Sequence, residues 1–335
     1  MSLKYKIVII VTWFGELPAY FPAWLMSAEY NKDVDFLIFS DHKISSKSEN
    51  IQFQYMTLED SIRLFEEKLH RKIWIKNSYK FCDCRAFFGI AYEDFLKGYD
   101  FWGYCDIDLM FGNIRRFLTD DVLERYDRFY PYGHLSIFRN TERINRLYQL
   151  PGARYSEKEV FEKAAKTTFE EHLGLNRICR KNGIKWYVKT DFADFAMRYP
   201  DRLEMKHGKK NYEKQIFVWD GGEAFLVFEK KGRVKKRPLV YMHWQKRKPV
   251  FIADSESRQY AVFADRITSA NIKEMSDIEE LFLSNKALTG KEKQKFSRKY
   301  YIRKMKDFFR SDAGTKCMWL RQKLDMIFER DKGYR

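Results

Sequence analysis

The sequence predicts an α/β fold around a largely parallel sheet covered on both sides, and three segments carry that expectation. Lys6 to Thr12 (KIVIIVT) is an unbroken apolar, β-branched run, as a strand buried on both faces requires, and it closes on the aromatic loop Trp13-Phe14-Gly15. Leu17 to Tyr30 then sets Leu17, Phe21, Trp24, Leu25 and Ala28 at helical spacing. Val34 to Ser40 (VDFLIFS) returns to strand character and ends at Asp41, giving the order β-α-β.

The alternation continues. Thr57-Leu58-Glu59-Asp60 has the form of an N-cap with acidic first-turn residues, and Ile62, Phe65 and Leu69 mark the apolar face of the helix behind it. A further helical stretch is expected from about Cys82 to Lys97, where Gly98 breaks it, and Phe101 to Asp108 begins as a short aromatic strand. Downstream, Arg128 to Phe138 reads as strand, Asn140 to Leu150 as helix, Glu157 to Lys166 and Glu170 to Asn182 as helices, and Ile184 to Val188 as extended. Phe217 to Trp219, Ala224 to Glu229 and Leu239 to His243 read as strands, with Gly221-Gly222 and Lys231-Gly232 as hairpin turns. Beyond Asp254, apolar residues recur every three or four positions among many lysines, predicting amphipathic helices. The expected organisation is a catalytic domain over residues 1–250 and a basic helical region over 251–335.

Composition narrows the classes. With 45% hydrophobic and 17% aromatic residues the chain should fold, and its greasiest run, Ile7 to Val11, is one strand long, too short to cross a bilayer. The N-terminus lacks the pattern of a secretory signal, so a cytoplasmic protein is expected. Five cysteines at 82, 84, 105, 179 and 317 form no disulfide framework, and the one-residue spacer of Cys82-Asp83-Cys84 is wrong for a zinc knuckle. Of the net charge of +16, +10 falls between Lys286 and Arg335, where 16 Lys and Arg face 6 Asp and Glu. Such a tail suits an anionic membrane surface. Nucleic acid is the weaker expectation as a partner.

Two features carry chemistry. Asp106-Ile107-Asp108 ends an apolar strand, where period-two geometry aims both carboxylates to one side, at the strand end where α/β sheets bind ligands. A divalent ion held by one or two carboxylates completes its shell with phosphate oxygens. Spacing alone is weak, because Asp33-Val34-Asp35 repeats it, but that pair precedes a strand instead of ending one. His243, at the end of the strand Pro238 to Met242 and ahead of Lys246-Arg247-Lys248, could give a nitrogen ligand to the same ion. A half-buried histidine beside a solvated basic loop is the plainer alternative. The same ligands could also serve metal-dependent phosphoryl transfer or nucleic-acid cleavage, although no P-loop or dinucleotide fingerprint occurs.

WFGELPAYFPAWLMSAEYN, FLIFSD, FWGYCDIDLMFGNIRRFL, YGHLSIFRN and YMHWQKRK, in that order, resemble a bacterial family of polysaccharide glycosyltransferases of the capsule and O-antigen type. The resemblance spans roughly residues 5 to 250. It implies the GT-A fold, a nucleotide-sugar-binding, Rossmann-like mixed sheet flanked by helices. More distantly, the Asp pair, Gly-His-Leu-Ser and the late histidine are similar to the glycogenin and lipooligosaccharide galactosyltransferase group, whose members retain anomeric configuration.

What the resemblance implies is residue-specific. Asp106, Asp108 and His243 would hold Mn²⁺ or Mg²⁺, with Lys246 or Lys248 on the diphosphate. Thr12, Trp13 and Phe14 would border the nucleotide, Asp41 would lie near base or ribose, and Arg85 would reach donor sugar or phosphate. Gly133, His134 and Ser136 would line the donor sugar, with His134, Glu170 and Glu171 as the candidates for the reacting centre. The group has Asp-Gln-Asp where this chain has Glu170-Glu171-His172. A UDP-hexose donor and a saccharide or lipid-linked acceptor are the expected substrates. On residue chemistry alone, Trp13 and Phe14 could equally cap the sheet, Asp41 could be an N-cap, Glu170 and Glu171 first-turn acids, and Arg85 the partner of Asp83 or Glu93.

Overall fold

The computed structural model describes residues 3–75, 78–163, 166–206, 210–252, 257–285 and 287–311, together with 313, 316, 317 and 320. In chain order the first strands are β1 (Ile7–Trp13), β2 (Asp35–Ser40), β3 (Ile51–Tyr55), β4 (Phe101–Cys105), β5 (Leu109–Phe111), β6 (Arg128–Phe129), β7 (Leu135–Arg139), β8 (Trp186–Tyr187) and β9 (Ala193–Asp194). There follow β10 (Gln215–Asp220), β11 (Glu223–Lys230), β12 (Arg233–Leu239), β13 (Tyr241–His243), β14 (Val250–Ile252), β15 (Gln259–Val262) and β16 (Arg266–Ser269).

The central sheet has seven strands in the order β3-β2-β1-β4-β7-β6-β8. Its first four members are parallel, as the β-α-β reading of the N-terminal half requires, and β7 reverses against β4. Ile7 to Val11 are fully buried, so KIVIIVT has protein on both faces. The helix Phe21–Glu29 begins on Pro22 and covers one face with Trp24, which stacks on Phe21 at 5.6 Å and meets Phe36 edge-on. Burying one such aromatic is worth about 1.5–3 kcal/mol. The helix Leu58–Leu69 starts on a complete Thr57/Asp60 capping box and buries Phe65 in an aromatic cluster with Phe81, Phe88 and Tyr92 on the other face.

A second, six-stranded sheet runs β12-β11-β10-β15-β16-β14. Both of its first two turns carry positive φ at their central residues, Gly221-Gly222 and Lys231-Gly232, the backbone that two-residue hairpins demand. A third, short sheet, β5-β13-β9, holds the chemistry described below.

Three expectations need correction. Residues 251–285 are not helical throughout: β14 to β16 complete the six-stranded sheet, and among the described residues there only Met275–Ser284 is a helix. Their apolar residues follow strand alternation, with Tyr260, Val262 and Ile267 in the core, and the compact unit built from residues 1–197 and 201–287 therefore runs well past residue 250. The segment 80–96 is a 3-10 helix, one short α-turn and a second 3-10 turn instead of a regular helix, because its packing of Phe81, Phe87 and Phe88 overrides helix propensity. Arg128 to Phe138 is two antiparallel strands, β6 and β7, around a loop with positive φ at Tyr130 and Gly133.

The second unit comprises residues 198–200 and 288–335. Its described part is chiefly the helix Gly290–Arg310, capped by a Thr289/Glu292 box and burying none of its side chains. Residues 286, 312, 314, 315, 318, 319 and 321–335 of the basic tail lie outside the described residues. Among the described residues no helix is long and apolar enough to cross a membrane.

Candidate active site

The site forms where the central sheet passes into the short one. β4 ends at Cys105, and Asp106-Ile107-Asp108 makes a bend leading directly into β5. The two carboxylates therefore converge through strand pairing on either side of the bend, and not through simple alternation along one strand. On the β4 side, the Asp106 amide donates to the His134 carbonyl at 2.9 Å, extending the β4–β7 ladder. On the β5 side, the Trp244 amide donates to the Asp108 carbonyl at 3.0 Å, and His243 pairs with Leu109. Ile107, between them, is buried in the main core and anchors the bend.

These pairings bring His243 to the Asp pair. Its Nε2 lies 3.3 Å from Asp108 Oδ1, and Asp106, Asp108 and His243 can each present a ligand atom within 4.8 Å of the others. Asp194, adjacent on β9, accepts from His243 Nδ1 at 3.0 Å. That contact fixes the proton on Nδ1 and leaves Nε2 for an ion, the arrangement in which a carboxylate orients a metal-binding histidine. His134 belongs to the same group, 4.4 Å from His243 ring to ring and with Nδ1 2.9 Å from the Tyr241 hydroxyl. Two oxygens and one nitrogen with room for phosphate oxygens suit Mn²⁺ or Mg²⁺.

Charge is finely partitioned here. Burial opposes ionisation of Asp106, yet the Arg85 guanidinium 2.6 Å away and the His243 charge hold its carboxyl below the ordinary range. Asp108 has no such arginine, and burial raises it despite His243. Burial also works against the His243 imidazolium, but Asp108 and Asp194 outweigh it and raise it to about 10. His134 goes the other way, lowered to about 3 by burial and then by the His243 charge, so it is a neutral ring.

A cavity of about 400 Å³ opens over the pair, within the range of small-molecule sites. Thr12, Trp13 and Phe14 at the carboxyl end of β1, Tyr20, Tyr79, Cys82 and Arg85 wall it with Asp106 and Asp108. The Trp13 indole donates to the carbonyls of Gly15 and Glu16, both at 3.1 Å, which fixes the ring. Arg85 is buried, donating to the Gly133 carbonyl at 3.2 Å and lying over the Tyr104 ring, so it faces the Asp pair and not Asp83 or Glu93.

The other candidates are spread more widely. Asp41 is not on the cavity wall; its carboxylate accepts from the Gly15 amide at 3.0 Å and so shapes the loop carrying Trp13 and Phe14. Ser136 is buried and its hydroxyl donates to the Tyr130 carbonyl. Lys246 and Lys248 are exposed on the turn after β13. Glu170 and Glu171 do not start a helix, since Leu175–Lys181 begins only after Gly174. Glu170 is fully buried 2.8 Å from Lys166, and burial raises its carboxyl to about 8. Glu171 is half-buried against Gly133, where an added Cβ would come within 2.2 Å of its carboxylate. Gly133→Ala, at φ +86 as well, should cost about 1–3 kcal/mol in denaturant unfolding.

Sequence reasoning missed Asp194, Gln245 and Lys206. Asp194 also accepts from Gln245 and pairs with Lys206 at 3.5 Å. Nothing in the flanking Phe192-Ala193-Asp194 marks the carboxylate as functional; only the β9–β13 pairing reveals it.

An α/β protein with a cation-competent Asp/Asp/His cluster at the carboxyl edge of its sheet is thereby defined. The chain belongs to the family of unknown function DUF6625, whose profile matches residues 9–271. No curated protein matches it. Among solved structures it is similar to the galactosyltransferase LgtC in complex with donor and acceptor sugar analogues, at 12% identity and a TM-score of 0.40, over 85% of this chain and 98% of that one. It is also similar to mouse xyloside xylosyltransferase 1, at 13% identity and TM-score 0.33, over 56% of this chain and 86% of that one. The glycosyltransferase GlyE of Streptococcus pneumoniae TIGR4 is similar at 11% and 0.32, over 56% and 46%. These likenesses are partial.

Proposed function

We propose that this protein is a metal-dependent glycosyltransferase that takes a hexose from a nucleotide sugar, with a UDP-sugar as donor, to a saccharide or lipid-linked acceptor. The observation that carries the reading is the convergence of Asp106, Asp108 and His243, with the two aspartates lining an aromatic-walled cavity. Mn²⁺ or Mg²⁺ held there would supply Lewis-acid stabilisation of the charge developing on the departing diphosphate. Arg85 holds Asp106 in place and adds a fixed positive charge beside it, while Asp194 orients His243. Trp13 and Phe14 offer flat apolar faces to a base, and the exposed Lys246 and Lys248 lie close in sequence to His243 for the phosphates.

Among the candidate acids, Glu171 suits sugar contact best. It packs on Gly133, whose carbonyl Arg85 also binds, whereas Glu170 is spent on Lys166. His134, kept neutral, positions rather than accepts protons. Screening nucleotide sugars by thermal shift with and without Mn²⁺ tests the proposal: UDP or a UDP-sugar should stabilise the protein only with the ion. Absence of metal-dependent stabilisation by any nucleoside diphosphate refutes it.

The helix Gly290–Arg310 supports an accessory role on anionic lipid near such an acceptor. Nine of its residues are Lys or Arg against two acids, and Tyr301, Ile302, Met305 and Phe309 are exposed. Full-length protein should float with phosphatidylserine vesicles, and the variant lacking residues 288–335 should not.

A further inference from the structure

We propose a second ligand site, for a single saccharide unit, at the opposite end of the helix Phe21–Glu29 from the metal cluster. Tyr20, at the start of this helix, walls the transfer cavity, and Tyr30, just past its end, walls another of about 210 Å³. Ten residues at 1.5 Å rise put the two roughly 15 Å apart. Asp33 precedes β2 and Asp108 follows β4, two parallel-running strands of one sheet, so the cavities lie toward opposite edges of it.

Three properties favour a sugar. The first is an aromatic platform. Tyr30 is 45% exposed, yet its ring is fixed edge-on against Trp219 at 4.9 Å and rests on Gly222, where a Cβ would lie only 3.0 Å from it. A held, half-exposed aromatic face suits the C–H face of a pyranose.

The second is a mixture of donors and acceptors. Lys32 and Asp33 stand exposed at the rim with Glu223, whose carboxylate is oriented by Asn113 at 3.3 Å and Arg116 at 3.0 Å. Arg115, also lining the pocket, is 9% exposed; its Nη2 meets Asp120 at 2.6 Å, but Nε and Nη1 have no hydrogen-bond partner. Both nitrogens are sealed from solvent, so the guanidinium lends the wall positive charge, and Lys32 is the pocket's exposed donor. Hydroxyls both donate and accept, matching this set, whereas a phosphate would face the carboxylates of Asp33 and Glu223.

The third is size and rigidity. The volume falls below the roughly 300 Å³ at which drug-sized ligands begin, which limits the occupant to about one ring. The floor is pinned by Asn31, which donates to the carbonyls of Ser27 and Gly112 at 2.9 Å and accepts from the Ile114 amide at 2.8 Å. A preformed pocket spares its ligand an ordering cost. The assignment stands on this chemistry alone and does not require the transfer reaction.

Saturation-transfer NMR on the full chain in EDTA, with glucose, galactose and N-acetylglucosamine as probes, tests it. At least one should receive saturation, and Asp33→Ala and Lys32→Ala, both at exposed positions, should each weaken binding about ten-fold, the loss expected for a hydrogen bond to a charged group. Asp108→Ala should leave that binding intact, which separates this site from the proposed transferase centre. No transfer to any of the three sugars, equal binding by the Asp33 and Lys32 variants, or displacement by inorganic phosphate would overturn it.

Discussion

Asp108→Ala should abolish the Mn²⁺-dependent stabilisation by UDP and slow sugar transfer roughly 10²–10³-fold, the scale on which an electrostatic element of a transition state is lost. The variant should fold. Asp108 is a carboxylate whose burial already raises its pKa, and without it His243 can shed its proton and retain Asp194 as partner. Asp106→Ala is a poorer test, because it strips the buried Arg85 of the carboxylate 2.6 Å away. An uncompensated buried charge costs about 3–5 kcal/mol, so that variant should lose stability as well as ion binding. Thermal shift with and without Mn²⁺, read beside product formation, separates the two. Asp33→Ala supplies the control: it removes one member of the identically spaced pair and should leave Mn²⁺ binding unchanged. Undiminished metal-dependent stabilisation in Asp108→Ala would remove the Asp pair from the site.

Much of this was legible beforehand where local pattern and burial agree. KIVIIVT, VDFLIFS and the two hairpin turns form the elements that their composition demands, because a strand buried on both faces and a turn with two positive φ values leave few alternatives. Asp106, Asp108 and His243 meet, yet the reason differs from the expected one: two ladders, β4 with β7 and β5 with β13, fix the bend. Long-range pairing of that kind leaves no local trace. It also explains why Asp194 went unseen, and why residue chemistry alone left Asp83 and Glu93 open as partners of Arg85 when it closes on Asp106. The helical expectation beyond Asp254 holds for Gly290–Arg310 but not for Tyr260-Ala261-Val262-Phe263, a continuous apolar run whose alternate residues enter two different cores, as a strand buried on both faces requires.

Asp194→Asn should weaken Mn²⁺ binding by about 10–100-fold, the usual price of losing a partner that orients a metal-binding histidine. The amide has two ways to sit. With its oxygen toward Nδ1 it accepts the same hydrogen bond without the charge; with its nitrogen there it moves the imidazole proton to Nε2 and blocks the ligand atom. Either outcome leaves a distinct trace in the metal-free protein. Wild-type His243 is raised to about 10, above the ordinary 6.5 of histidine, by Asp108 and Asp194 acting against burial. A group raised on folding contributes stability that is complete below its unfolded pKa and disappears as pH climbs through the folded one. EDTA-treated wild type should therefore lose melting temperature between about pH 6.5 and pH 10, and Asp194→Asn should do so less steeply because one of the two supporting charges is gone. Ion binding must displace the His243 proton, so Mn²⁺ affinity should rise with pH over the same window. Parallel melting profiles in the two proteins, together with an unchanged Mn²⁺ dissociation constant, would show that Asp194 packs beside His243 without orienting it.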